Sequence, residues 1–200
     1  MLAIEEEFEG RSFDEEALGE STFRECRFTN CSFRGTRLDE ATFERCHLTD
    51  CDLTGARLVG ATLKGCLLAR CKLLDARLIG ATISNGRLIE CDLRGASLGG
   101  AAIRGTDLSH SDLSEQDLEG ADLHGLRLLS ADLTRASLIG ADLRDAALDR
   151  ALLTNARLRN ADLRGASLDG VDLRGVELRG ARLDAVGAVH FARCHGLKVE

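Results

Sequence analysis

Proline is absent from the 200 residues, as are tryptophan and tyrosine. Without proline, every backbone N–H is free to join a hydrogen-bonded ladder. Without tyrosine or tryptophan, the chain lacks the side chains best suited to stacking on unpaired bases. No apolar run approaches the about 18 residues that a membrane helix needs. The stretch Met1-Leu2-Ala3-Ile4-Glu5-Glu6-Glu7 turns acidic at once, where a secretory leader would be basic and then apolar. A cytoplasmic location is expected. A net charge of −7 disfavours direct binding to nucleic-acid phosphates. Catalytic signatures are also missing. His47, His110, His124, His190 and His195 show no helical metal spacing, and no phosphate loop or nucleophile motif occurs. No enzyme, metal or cofactor is expected.

What is present is a period of five. From Phe8 to Leu183 every fifth residue is Leu, Phe or Ile, giving 36 consecutive units with 28 Leu, 6 Phe and 2 Ile at the central position. Five residues on an α-helix turn by about 500°, so these side chains would scatter around its axis. In a flat strand an odd step flips the side chain to the opposite face each time. A chain that turns a corner every five residues buries them all on one side. In Ala161-Asp162-Leu163-Arg164-Gly165, alternation points Ala161 and Leu163 inward and Asp162 outward, and Arg164-Gly165 makes the corner. Small residues fill the position two before the centre from Ser21 onward, except at Gln116 and Leu126. Sixteen of the 21 Gly stand two after it, where a tight turn favours φ > 0.

A spacing of 20 fixes the number of sides. Cys26, Cys46 and Cys66 recur at that step, as do Cys31, Cys51, Cys71 and Cys91, the pairs Phe8/Phe28, Phe13/Phe33 and Phe23/Phe43, and outward Thr22, Thr42, Thr62 and Thr82. Four units per turn predict an all-β, four-sided solenoid. About nine coils at the strand spacing would make a rod about 43 Å long. Residues 1–5 read as a lead-in, 6–185 as the solenoid and 186–200 as a terminal helix and tail. Seven of the eight Cys share the small inward position with Ala, which favours packing over metal binding.

Charge lies in bands: residues 1–50 carry 13 acidic and 6 basic groups, and residues 101–150 carry 10 and 5. Asp107, Asp112, Asp117 and Asp122 ring one turn. Two columns run along the rod, Asp92/Asp112/Asp132 and Asp122/Asp142/Asp162. Such aspartates either hydrogen-bond the turn amides or form a surface for a partner. Arg37, Arg57 and Arg77 make a stacked basic row that reads as a solvated face. Outward Val59, Ile79 and Ile139 share one column, a second and weaker contact patch.

The units Ala131-Asp132-Leu133, Ala141-Asp142-Leu143 and Ala161-Asp162-Leu163 resemble the pentapeptide-repeat family, A-[DN]-L-x-x. The resemblance implies a right-handed quadrilateral β-helix. The stretch from Gly180 to Leu197 leaves the repeat and is similar to the tail of the loopless mycobacterial fluoroquinolone-resistance members of that family. That likeness implies an acidic homodimer, joined through its C-termini, that binds DNA gyrase as a mimic of duplex DNA. The implied partner surface is Asp92, Asp112, Asp132, Asp117, Asp122, Asp142 and Asp162. The cap and dimer contact is Asp184, Val186, Val189, Phe191 and Leu197, on a helix running from Asp184 to about His195 and stopped by Gly196. The repeat alone is equally compatible with a scaffold for an unrelated protein partner. Duplex DNA carries one charge per about 1.7 Å of axis, whereas −7 over about 43 Å is far sparser. Only a selected face could imitate DNA.

Overall fold

The computed structural model describes residues 1–199, and it is a four-sided β-solenoid closed by one short helix. Its strands are three residues each: β1 Leu2–Ile4, β2 Glu7–Glu9, β3 Thr22–Arg24, β4 Arg27–Thr29, β5 Thr42–Glu44 and β6 His47–Thr49. They continue as β7 Thr62–Lys64, β8 Leu67–Ala69, β9 Thr82–Ser84, β10 Arg87–Ile89 and β11 Ala102–Arg104. Alternate strands stack into two parallel sheets, β1-β3-β5-β7-β9-β11 and β10-β8-β6-β4-β2. Every register step is 20 residues, as in Leu2↔Thr22 and Phe8↔Phe28. The other two sides use the same step through single parallel bridges, such as Ser12↔Ser32 and Ala17↔Arg37.

Two expectations are corrected. Of the about nine coils expected, only about five turns carry regular strands, the longer sheet having six. Beyond Arg104 the same step continues as isolated bridges as far as Asp162↔Arg182. The sheets stop where Asp107 and Asp122 first take the outward position on these two sides. Their carboxylates accept the amides of Ser109 at 3.0 Å and His124 at 3.3 Å. In addition, residues 2–4 are no lead-in. They pair with β3, and Ala3, 1% exposed, holds the central position, so the frame extends one unit before the first large side chain.

The core is a continuous column of central residues, buried from Phe8 to Leu173. The three phenylalanine pairs stack as the spacing predicts, with centroids 4.9 Å apart for Phe8/Phe28 and 4.7 Å apart for Phe13/Phe33 and Phe23/Phe43. Polar side chains at the small inward position donate to the carbonyl of the central residue 23 positions earlier. Thr36 Oγ1 reaches Phe13 O at 2.8 Å, Ser111 Oγ reaches Leu88 O at 2.7 Å, and Gln116 Nε2 reaches Leu93 O at 2.6 Å. Cys46 and Cys66 do the same more weakly, at 3.3 Å from Phe23 O and Phe43 O. The Gln116 exception therefore satisfies its own polar group. Burial pushes the Cys26 and Cys31 thiols up, which keeps them protonated and unreactive.

Every fifth residue from Glu5 to Gly180 has φ > 0. Sixteen of these corners are glycine and twenty are not. None of the twenty is β-branched, the class least tolerant of this conformation. Successive corners stack, so a carboxylate on one turn leans over the glycine of the next. A Cβ at Gly95, at φ +68°, would overlap the Asp75 carboxylate. Gly95→Ala is expected to lose about 1–2 kcal/mol from the left-handed penalty alone, measured as a shift in urea midpoint. Gly55→Ala, with open space around it, should lose less.

Candidate functional site

All seven aspartates of the implied partner surface sit where the frame puts them. Asp92↔Asp112↔Asp132 and Asp122↔Asp142↔Asp162 are bridged neighbours along two sides, and Asp117 lies on a third. Each accepts the amide two residues ahead. The distance is 3.1 Å for Asp92, 2.9 Å for Asp112, 3.2 Å for Asp117 and 3.3 Å for Asp122. It is 2.8 Å for Asp132, 3.1 Å for Asp142 and 3.3 Å for Asp162. One oxygen of every carboxylate is therefore committed to holding its turn.

The second oxygen divides the set. Residues two apart on a strand share a face, and arginine at that offset chelates the carboxylate. Arg94 binds Asp92 through Nε and Nη2 at 2.9 and 2.7 Å, and Arg144 and Arg164 bind Asp142 and Asp162 at 2.9 and 2.6 Å. Arg94 also reaches Asp112 at 3.4 Å. Asp117, Asp122 and Asp132 have no such arginine, since Glu119, His124 and Thr134 occupy the offset. Within this set of seven, the accessible negative charge is thus concentrated on the turn around residues 112–132. The Asp-x-Arg spacing is visible in the sequence and was the signal that the column reading missed.

The chelated carboxyls titrate low. Arg164 holds Asp162 down to about 2, and Arg174 does the same for Asp172. Hydrogen bonds from Arg94 and Arg144 likewise lower Asp92 and Asp142. A carboxyl depressed in the folded state adds stability above its unfolded value of about 4 and loses it as pH falls through the folded value. The urea midpoint is therefore expected to fall between about pH 4 and about pH 2. Asp162→Asn combined with Asp172→Asn should flatten that slope.

The solenoid ends in α1, Ala185–Cys194. Asp184 makes the transition from turn to helix. Its Oδ1 accepts the Gly187 amide at 2.9 Å, capping α1, while its Oδ2 accepts the Gly165 amide at 2.8 Å. At most corners the amide donates to a backbone carbonyl 19 residues on, as Glu5 N does to Arg24 O. Here the carboxylate replaces that carbonyl and frees the chain to turn into a helix. Both amides hold the Asp184 carboxyl below its usual range. His190 and Cys194, one helical turn apart, lie against the last turn. His190 Nε2 is 2.7 Å from Val171 O, and Cys194 Sγ is 3.5 Å from it. These two contacts and buried Gly187 were not among the expected cap residues.

Of the expected apolar residues, Val189 is half-buried, while Val186 is 77% exposed, Leu197 63% and Phe191 36%. Val186 and Val189 line a cleft of about 510 Å³ between α1 and the last turns, floored by Ala166 and Leu168 and edged by Asp149 and Arg193. The outward column patch is minor: of Val59, Ile79 and Ile139, only Ile79 is exposed, at 40%. Among the described residues, no helix is long and apolar enough to cross a membrane.

Comparison with known proteins agrees with this architecture. Over 98% of this chain and 99% of the other, the structure is similar to full-length QnrB1, described as a plasmid-mediated fluoroquinolone resistance protein, at 26% identity and a TM-score of 0.87. A trypsin-treated QnrB1 variant superposes with a TM-score of 0.84 at 26% identity, covering 97% and 98% of the two chains. No curated protein matches the sequence. The family model "Pentapeptide repeat region" matches residues 21–98, and "Pentapeptide repeats (8 copies)" matches 96–128, 117–155 and 146–184. The chain belongs to the pentapeptide-repeat family.

Proposed function

We propose that this protein is a non-catalytic, cytoplasmic rod that binds DNA gyrase through its acidic side and protects the enzyme against fluoroquinolones. The observation that carries the reading is the end-to-end likeness to QnrB1, a fluoroquinolone resistance protein, at a TM-score of 0.87. The surface supports it. Asp117, Asp122 and Asp132 lack an arginine at the chelating offset and ring one turn, so they remain available to a basic partner. Exposed Val186 and Phe191 on α1, with Leu197 just beyond it, give the C-terminal end apolar surface suited to a second copy, making a homodimer joined at its C-termini. Because the partner reads spaced carboxylates, binding weakens as salt screens them.

The alternative, a scaffold for an unrelated protein, is favoured by one feature. Arginines neutralise Asp92, Asp142, Asp162 and Asp172, and so dilute any resemblance to a polyanion. Gyrase supercoiling assays with and without a fluoroquinolone separate the two readings. Rescue or inhibition at micromolar protein that fades with added salt supports gyrase binding. Inertness at low salt supports the scaffold.

A further inference from the structure

The first turn breaks the rule for the small inward position. In the second turn Ser21, Cys26, Cys31 and Thr36 fill it, all buried. In the first turn the same places hold Met1, Glu6, Arg11 and Glu16. Three of these are charged, and none could be stacked inside a dry core without a heavy desolvation cost. Met1, Glu6 and Arg11 are exposed and Glu16 is half-buried.

Yet the core beneath them is closed. Ala3 is 1% exposed, Phe8 9%, Phe13 0% and Leu18 7%. Phe8 and Phe13 each lay one ring face on the next turn, against Phe28 and Phe33. Their other faces look toward the end of the rod. The Arg11 guanidinium lies over them, 4.3 Å from the Phe13 centroid and 5.4 Å from that of Phe8. This cation–π contact covers aromatic surface that another turn would otherwise cover.

The backbone edge at this end is complete and unoccupied on its outer side. The carbonyls of Met1, Glu6, Arg11 and Glu16 accept the amides of Thr22, Arg27, Ser32 and Arg37, each at 2.9 Å. Among the described residues, Leu2, Glu7, Ser12 and Ala17 pair only with the following turn, and their outward amides meet no carbonyl. Four sides of exposed ladder form a template for further pairing, and inward-pointing charge is a recognised way of blocking such an edge.

We infer that the first turn is a latent stacking face for a second copy of this chain, held shut by Arg11, Glu6 and Glu16. The occupant follows from shape. Only another four-sided rod with five-residue sides meets all four edges at once. The far end of such a rod is covered by α1, through His190 and Cys194 on Val171. The mate is therefore the same first turn of another molecule, related by a two-fold axis, which gives a closed isologous contact. In the native protein three charges per molecule would be buried at that contact, and the face stays free. Assembly is left to the α1 end.

The test is the variant Glu6→Ala, Arg11→Ala, Glu16→Ala, compared with the unsubstituted protein by light scattering and small-angle scattering under reducing conditions. The expected result depends on the starting state and so also reports on the α1 dimer. A monomeric parent gives a dimer of doubled length. A parent already dimeric through α1 gives open chains longer than a tetramer, because both ends now associate. Arg11→Lys, which keeps a cation over the rings, leaves the mass of the parent unchanged. A triple variant with an intact β signal and the parent's mass overturns the inference. Should the triple variant lose its β signal, Glu6→Ser, Arg11→Ser, Glu16→Thr decides, since it places there small polar residues like those of the second turn: a concentration-dependent rise in mass supports the inference, and an unchanged mass overturns it.

Discussion

Phe28→Ala is expected to cost the protein about 3–5 kcal/mol, the range for removing a buried phenylalanine. Phe28 is 0% exposed, and it is the hub of the aromatic end of the core. Phe8 stacks on it at 4.9 Å, while Phe33, Phe23, Phe13 and Phe43 meet it at 5.4, 5.6, 6.0 and 6.3 Å. These partners come from three successive turns and from neighbouring sides. The cavity cannot collapse by moving one side chain, because each ring is held by stacked backbones at a fixed spacing. Each turn of a solenoid also contacts only its neighbours, so the damage should be local. Urea unfolding followed by circular dichroism gives the loss. Hydrogen exchange should show the amides of β1 to β4 exposed first, with those beyond Arg104 still protected. A loss below about 1 kcal/mol, or exchange spread evenly along the rod, would show that the aromatic turns are not the tightly packed unit described above.

The second large effect concerns function. Asp112→Arg together with Asp132→Arg is expected to abolish the proposed protection of gyrase and leave the fold intact. The structural cost is small. Each side chain gives up a turn hydrogen bond, from Ser114 N at 2.9 Å or Thr134 N at 2.8 Å, about 1 kcal/mol apiece. Asp112 also gives up a bond from Ser114 Oγ at 2.6 Å and its contact with Arg94 at 3.4 Å. The repulsion between two bridged carboxylates, Asp112↔Asp132, disappears. The functional cost is large, because a partner shaped for carboxylates now meets two cations, and like-charge contacts at an interface cost several kcal/mol. Binding should fall by about 100-fold or more, and drug rescue in the supercoiling assay should vanish. Asp142→Asn combined with Arg144→Gln is the matched control. The two side chains neutralise each other, so removing both should change binding little. Full protection by a folded Asp112/Asp132 double variant would remove this column from the site.

The electrostatic surface differs from a count of charges because strand geometry pairs them. Asp162 and Arg164 both point outward from one unit and meet. Asp122 has His124 at that offset, and His124 Nδ1 instead lies 3.8 Å from Asp145. Acidic bands read along the sequence therefore overstate the free charge near residues 142–162 and represent it fairly near 112–132. Thr22, Thr42, Thr62 and Thr82 form an outward row on one sheet, each within a three-residue strand. Where Asp122 enters that row the ladder continues as single bridges, and its carboxylate accepts the His124 amide.

The period of five by itself determined the inward and outward phases and the left-handed corners, and the spacing of 20 the four sides and the stacked phenylalanines. These follow from backbone sterics and from the need to bury one large side chain per unit, and both act locally in every repeat. Twenty corners without glycine adopt φ > 0 because the frame demands it. Tertiary structure alone decided the rest. Arginine chelation of Asp92, Asp142 and Asp162, the replacement of a ladder carbonyl by the Asp184 carboxylate, the anchoring of α1 by His190 and Cys194, and the closing of the first turn by Arg11 all depend on where side chains end in space. A repeat states what each turn shares with the next. It carries no record of what happens where the stacking stops or where two side chains on one face compete for the same partner.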